Sequence, residues 1–117
     1  MTDLRPLSRQ EKAVIAVLIG SKAITLHLSD SLDDLLVAEM NDSGMGSLSL
    51  VPRGLEGVSR SFGQQVISGE FTDSDGTPVS VALNVDSQGH LYELDVWKVN
   101  FSPLLEWPDP SEIRIIG

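Results

Sequence analysis

The chain contains no cysteine, which excludes disulfides, thiolate zinc sites and cysteine nucleophiles in one step. That absence fits a reducing compartment. Basic residues are also scarce, eight against seventeen acidic, so the formal net charge is −9. Such a chain repels phosphate backbones, which argues against nucleic-acid binding and favours a basic protein or a cation as partner. Acidity also serves plain solubility. No long apolar run exists: the longest, Ala13 to Ile19, falls far short of the roughly 18 residues of a membrane span. The opening, Met1 to Gln10, carries no apolar core of signal-peptide length. A cytoplasmic protein with no membrane partner is therefore the expectation.

Imidazoles number two, His27 and His90, and neither has metal ligands or a Ser-His-Asp set at interpretable spacing. The sequence holds no G-x-S-x-G, no phosphate-binding glycine loop and no paired-histidine motif. Nothing in it supports an enzyme, and no cofactor is implied.

What is present suits a single domain over residues 1–117, with 41% hydrophobic residues and enough length to bury a core unaided. Ser8 and Glu11 have capping-box spacing and predict a helix from about Arg9 to Ile19. Val14, Ile15, Leu18 and Ile19 give it one apolar stripe, which should lie on a sheet, and Gly20 suits the position just past its end. From Ser21 to Asp34 the signal is mixed. Ile24, Leu26 and Leu28 alternate like a strand, while Leu32, Leu35 and Leu36 suit a helical turn. Strands follow at Leu36 to Asn41 and Ser47 to Val51, joined through Asp42-Ser43-Gly44-Met45-Gly46. Pro52 to Ser61 reads as a loop.

The clearest pattern lies between Gln65 and Val99. Val79, Val81, Leu83 and Val85 alternate with polar residues, as do Tyr92, Leu94 and Val96. A two-residue Gln88-Gly89 turn would pair Val85 with Tyr92, Leu83 with Leu94 and Val81 with Val96. A three-residue Ser74-Asp75-Gly76 loop with a G1 bulge would pair Phe71 with Val79, Gly69 with Val81 and Ile67 with Leu83. All apolar residues then share one face. The other face gathers Ser68, Glu70, Ser80, Ala82, Asn84, Glu93, Asp95 and Trp97. The fold expectation is α+β: an antiparallel β-meander sheet of about five strands, with one N-terminal helix packed on its apolar face.

The strings NDSGMGSL (Asn41 to Leu48), EFTDSDGTPVSVALNVD (Glu70 to Asp86) and ELDVWKVNFSPL (Glu93 to Leu104), with RPLS at Arg5 to Ser8, resemble a small bacterial family of domains of unknown function. The resemblance covers most of the chain and implies no established activity. Ser43 stands where that family's turn leads one to expect a glycine, as in GGMGS. By size and charge the chain is also similar to small acidic immunity proteins that inhibit toxins, an analogy of general form.

Candidate binding residues are Glu70, Glu93, Asp95, Trp97 and Trp107, with Phe101 beside them. Glu93 and Asp95 lie two apart on one strand, hence roughly 7 Å apart on one face. The carboxylates suit a basic partner or a divalent cation, and the tryptophans suit a contact surface. The plainer readings are a solvated face, a salt bridge to Lys98 or an arginine, and a tail that folds back over Trp97. Asp73-Ser74-Asp75-Gly76 opens like an EF-hand loop but lacks its later ligands, so it reads as a hairpin turn. The leading expectation is a non-enzymatic protein-interaction module that binds a basic partner, an immunity-type inhibitor being one form. The alternative is a small-ligand or divalent-cation-binding domain using the acidic sheet face. The oligomeric state is not legible.

Overall fold

The computed structural model describes residues 4–21 and 31–117. His27 and the alternating Ile24, Leu26 and Leu28 lie outside the described residues.

The helix α1, Arg9–Ser21, begins as its spacing predicts. The Glu11 amide donates to Ser8 Oγ at 3.1 Å, and the Ser8 amide donates to Glu11 Oε1 at 2.8 Å. Val14, Ile15 and Leu18 are buried against the sheet. The helix outlasts its expected end, because Gly20 stays helical and Ser21 Oγ donates to the Leu18 carbonyl.

Among the described residues seven strands, rather than about five, form one antiparallel sheet: β1 Arg5–Pro6, β2 Leu36–Glu39, β3 Leu48–Val51, β4 Phe62–Thr72, β5 Pro78–Asp86, β6 Leu91–Lys98 and β7 Arg114–Ile115. Their order is β1-β2-β3-β6-β5-β4-β7. The two extra members are two-residue strands at the edges, too short to show a period of two in sequence. The loop 52–61 crosses from β3 to β4 over the end of the β5–β6 hairpin. Arg60 fastens it there, donating to Asp86 Oδ2, to the Leu91 carbonyl and to the Leu50 carbonyl.

The first hairpin register is as expected: Phe71 faces Val79, Gly69 faces Val81 and Ile67 faces Leu83. The Gly76 amide donates to the Asp73 carbonyl, and Gly76 takes a φ of 85°, giving a three-residue loop with a left-handed glycine. The second hairpin corrects the expectation. Its loop is Ser87-Gln88-Gly89, because the Asp86 amide bonds the His90 carbonyl and the Asp86 carboxylate takes the Gln88 and His90 amides. Val85 therefore faces Leu91, not Tyr92. A bulge at Tyr92 then restores the predicted phase, so Leu83 meets Leu94 and Val81 meets Val96.

Those pairs, with Val14, Ile15, Leu18, Val37, Leu48 and Leu50, make one buried cluster between α1 and the sheet. Burying a side chain of this type contributes roughly 1.5–3 kcal/mol, so the cluster orients every strand. Among the described residues the opposite face carries no helix.

Ser43 explains the glycine expected at its position, since it holds a φ of 62°, a left-handed backbone that costs a β-carbon about 1 kcal/mol or more. Replacing Ser43→Gly should raise stability by about 0.5 kcal/mol, the strain relief being partly offset by glycine's unfolded-state entropy. Urea denaturation measures it, and a clear loss would show that Ser43 earns its place by another contact.

Candidate functional site

Strand alternation decides what the helix-free face carries. Along β6, Leu94, Val96 and Lys98 turn inward, so Glu93, Asp95 and Trp97 turn outward. Across the sheet, Glu70 faces Ser80 and Ser80 faces Trp97, while Ser68 faces Ala82 and Ala82 faces Asp95. Four of the five candidate residues thus share a face, in the register expected. They do not form a carboxylate cluster. Glu70 stands two strands from Asp95 and is ion-paired with Arg114 of β7. Among the described residues no three His, Asp or Glu side chains could hold a metal ion.

Glu93 accepts from Asn84 Nδ2 at 3.2 Å, and Asp95 reaches only the Ser47 hydroxyl at 3.5 Å. Neither has a basic partner among the described residues. Beside them Trp97 is 45% exposed and meets Phe101, 64% exposed, edge to face at 5.9 Å. Phe101 holds a φ of 61°, a strained backbone for an aromatic residue that places the ring on Trp97 instead of in the core. The small residues Ser68, Ser80 and Ala82 floor a hollow of about 420 Å³ between Trp97 and Asp95 on one side and Glu70 and Ile116 on the other.

Trp107 is elsewhere. It packs against the core beside Leu104 and lines a cleft with Arg9, Gln10 and Ala13 of α1. The tail does fold back, but on the helix side and along β4, and it leaves Trp97 open. Proline-rich, aperiodic chain gave no signal for that course.

The sequence offered Lys98 as a salt-bridge partner for the carboxylates of this face, but the residue turns inward to Asp73 and Asp75 and positions the surface from beneath. Lys98 falls in the apolar phase of β6 and is fully buried. Its Nζ donates to Asp73 Oδ2 at 2.7 Å, Asp75 Oδ2 at 2.9 Å and the Pro103 carbonyl at 3.2 Å. The Leu105 and Glu106 amides close on the other lone pairs of Asp73. The Lys98 carbonyl accepts from Phe101 N at 2.8 Å, so the turn presenting Phe101 is tied at both ends to one residue. A charge in the apolar phase of the strand, four residues after Leu94 and two after Val96, was the available signal. The same two aspartates that resemble an EF-hand opening are spent on this lysine.

Electrostatics follow from that geometry. Burial pushes the Asp73 carboxyl up, but hydrogen bonds from Lys98 and the Leu105 and Ser74 amides outweigh it and leave it below the usual 3.8. The hydrogen bond from Lys98, with the Thr77 amide, brings Asp75 down to about 2. Burial opposes the Lys98 charge, yet Asp73 and Asp75 together hold its pKa above 10.5.

The architecture defines a small α+β domain, one helix on one face of an antiparallel sheet, with an aromatic and acidic surface on the other. The chain belongs to the family described as Domain of unknown function (DUF6984), whose model matches residues 4–108. No curated protein and no solved structure matches the chain. No helix among the described residues is long and apolar enough to cross a membrane.

Depressed carboxyl values stabilise the fold above the unfolded value of 3.8 and lose that contribution as pH falls toward the folded value of about 2 at Asp75. The melting temperature should therefore fall between about pH 4 and pH 2, and Asp75→Asn should flatten that slope. An unchanged slope in circular dichroism melts would remove the role given to Asp75. Lys98→Met leaves two carboxylates without their cation and should lower the melting temperature by about 10 °C or more at neutral pH. A variant as stable as the parent would show that the tail is held by packing alone.

Proposed function

We propose that this protein is a non-enzymatic, cytoplasmic protein-interaction module that meets a basic partner with the helix-free face of its sheet. The observation that carries the reading is the exposed Trp97–Phe101 pair beside Glu93 and Asp95, two carboxylates without a basic partner among the described residues. Solvent-facing aromatics cost free energy in an isolated domain and repay it at an interface, where tryptophan is enriched among the residues that dominate binding. Carboxylates around such a centre raise the encounter rate with a basic surface and select its charge. An immunity-type inhibitor of a basic toxin is one form such a module takes. The hollow beside Trp97 supports a second reading, a small cationic ligand held by Asp95 and Trp97. A divalent cation has less support, since Glu70 is taken by Arg114.

Charge reversal tests the face. An immobilised basic peptide rich in lysine and arginine should capture the protein at low salt and release it as salt rises. Glu93→Lys combined with Asp95→Lys should weaken capture about tenfold or more, while Glu56→Lys with Glu106→Lys, away from this face, should change it far less. Equal losses from both pairs would reduce the attraction to net charge and remove the face from the reading.

A further inference from the structure

The hollow on the open face has the shape and chemistry of a seat for one side chain, an inference that rests on the basic-partner reading. Its floor is Ser80 and Ala82 of β5 with Ser68 of β4 beside Ala82, and taller side chains rise around it, Glu70 on one side and Trp97 and Asp95 on the other. With strands about 4.8 Å apart, the walls stand roughly 10 Å apart, enough for a flat group lying on the floor. Trp97 lines one wall with Asp95 as its neighbour on the same strand, and Ile116 lines the other. An aromatic ring and a carboxylate side by side offer the two contacts a guanidinium can make at once, stacking through its plane and bonding through its fork. An ammonium, a point charge with a tight hydration shell, satisfies only one of them well.

Two further observations agree. The chain already places a guanidinium on this face: Arg114 enters from the edge strand and pairs with Glu70, the carboxylate across the floor. Asp95, the matching carboxylate on the other wall, keeps one oxygen free of hydrogen bonds among the described residues. We propose that the trough over Ser80 and Ala82 seats one arginine side chain of the protein partner, its guanidinium stacked on Trp97 and bonded by Asp95.

The full chain, labelled with nitrogen-15, reports both indoles separately and can be titrated with hexaarginine, hexalysine and hexacitrulline peptides. Hexaarginine should shift the Trp97 indole and the Ser80 and Ala82 amides, and should bind about tenfold tighter than hexalysine of the same charge. Hexacitrulline, flat but uncharged, should not bind. Asp95→Asn and Trp97→Leu, both at exposed positions, should each weaken hexaarginine about tenfold with the melting temperature unchanged. Equal affinity for the arginine and lysine peptides, lost on reversing Glu93 and Asp95, overturns the arginine seat and leaves the basic-partner reading standing. A hexacitrulline response equal to that of hexaarginine also overturns the seat. Absence of any salt-sensitive shift from either charged peptide overturns both.

Discussion

A lysine sealed from water must find negative charge inside the protein or lose its own. Lys98 finds two carboxylates and a carbonyl, and those three partners come from the β4–β5 turn and from the tail beyond β6. The pairing therefore does more than neutralise. It fixes the direction in which the chain leaves β6, sets the turn that holds Phe101 on Trp97, and pins the residues through which the tail reaches α1. Buried pairs of this kind are weak evidence for stability as such, because desolvation cancels much of the attraction. They are better understood as devices that forbid alternatives, since any other path for the tail leaves a charge unpaired.

Two further nodes repeat the device at other joints. Arg5 grips both oxygens of the buried Glu11 at 2.8 Å, joining the first edge strand to the first turn of α1. Arg60 reaches Asp86 and two strand carbonyls, and also lies over the Tyr92 ring at 5.2 Å, joining the long loop to the far hairpin. Each node consumes one of only eight basic residues. With so few cations committed to internal joints, the surplus of acid falls on surfaces that the fold does not need. The open sheet face is where that surplus meets exposed aromatics, and this coincidence, rather than net charge alone, gives it a claim to function.

Legibility in the sequence followed contact range. The capping box at Ser8 and Glu11 and the Asp73 to Gly76 loop were readable because every interaction in them spans a few residues. Strand phase was readable where it repeated, so Leu83 against Leu94 and the outward set of Glu93, Asp95 and Trp97 came out as expected. The second hairpin shows the limit: a loop one residue longer and a bulge at Tyr92 cancel each other, and neither leaves a mark in the alternation. Gly20 stayed helical where a break was expected, because a glycine permits a helix end without imposing one. Trp107 could not be placed, since the tail's course to the helix side is set by distant contacts, the Lys98 node and the bond from the Leu104 amide to the Gly44 carbonyl.

What the sequence by itself determined is the pair of faces, because side-chain direction along a strand is a property of the backbone and repeats every two residues. The tertiary structure alone decided which parts of those faces remain open. Whether Glu70 is already paired depends on Arg114 of β7, Asp95 meets Ser47 from 48 residues away in sequence, and the exposure of Trp97 depends on the course the tail takes. Such contacts are set by the geometry of packing and by the need to pair buried charge, and neither is written in any local pattern.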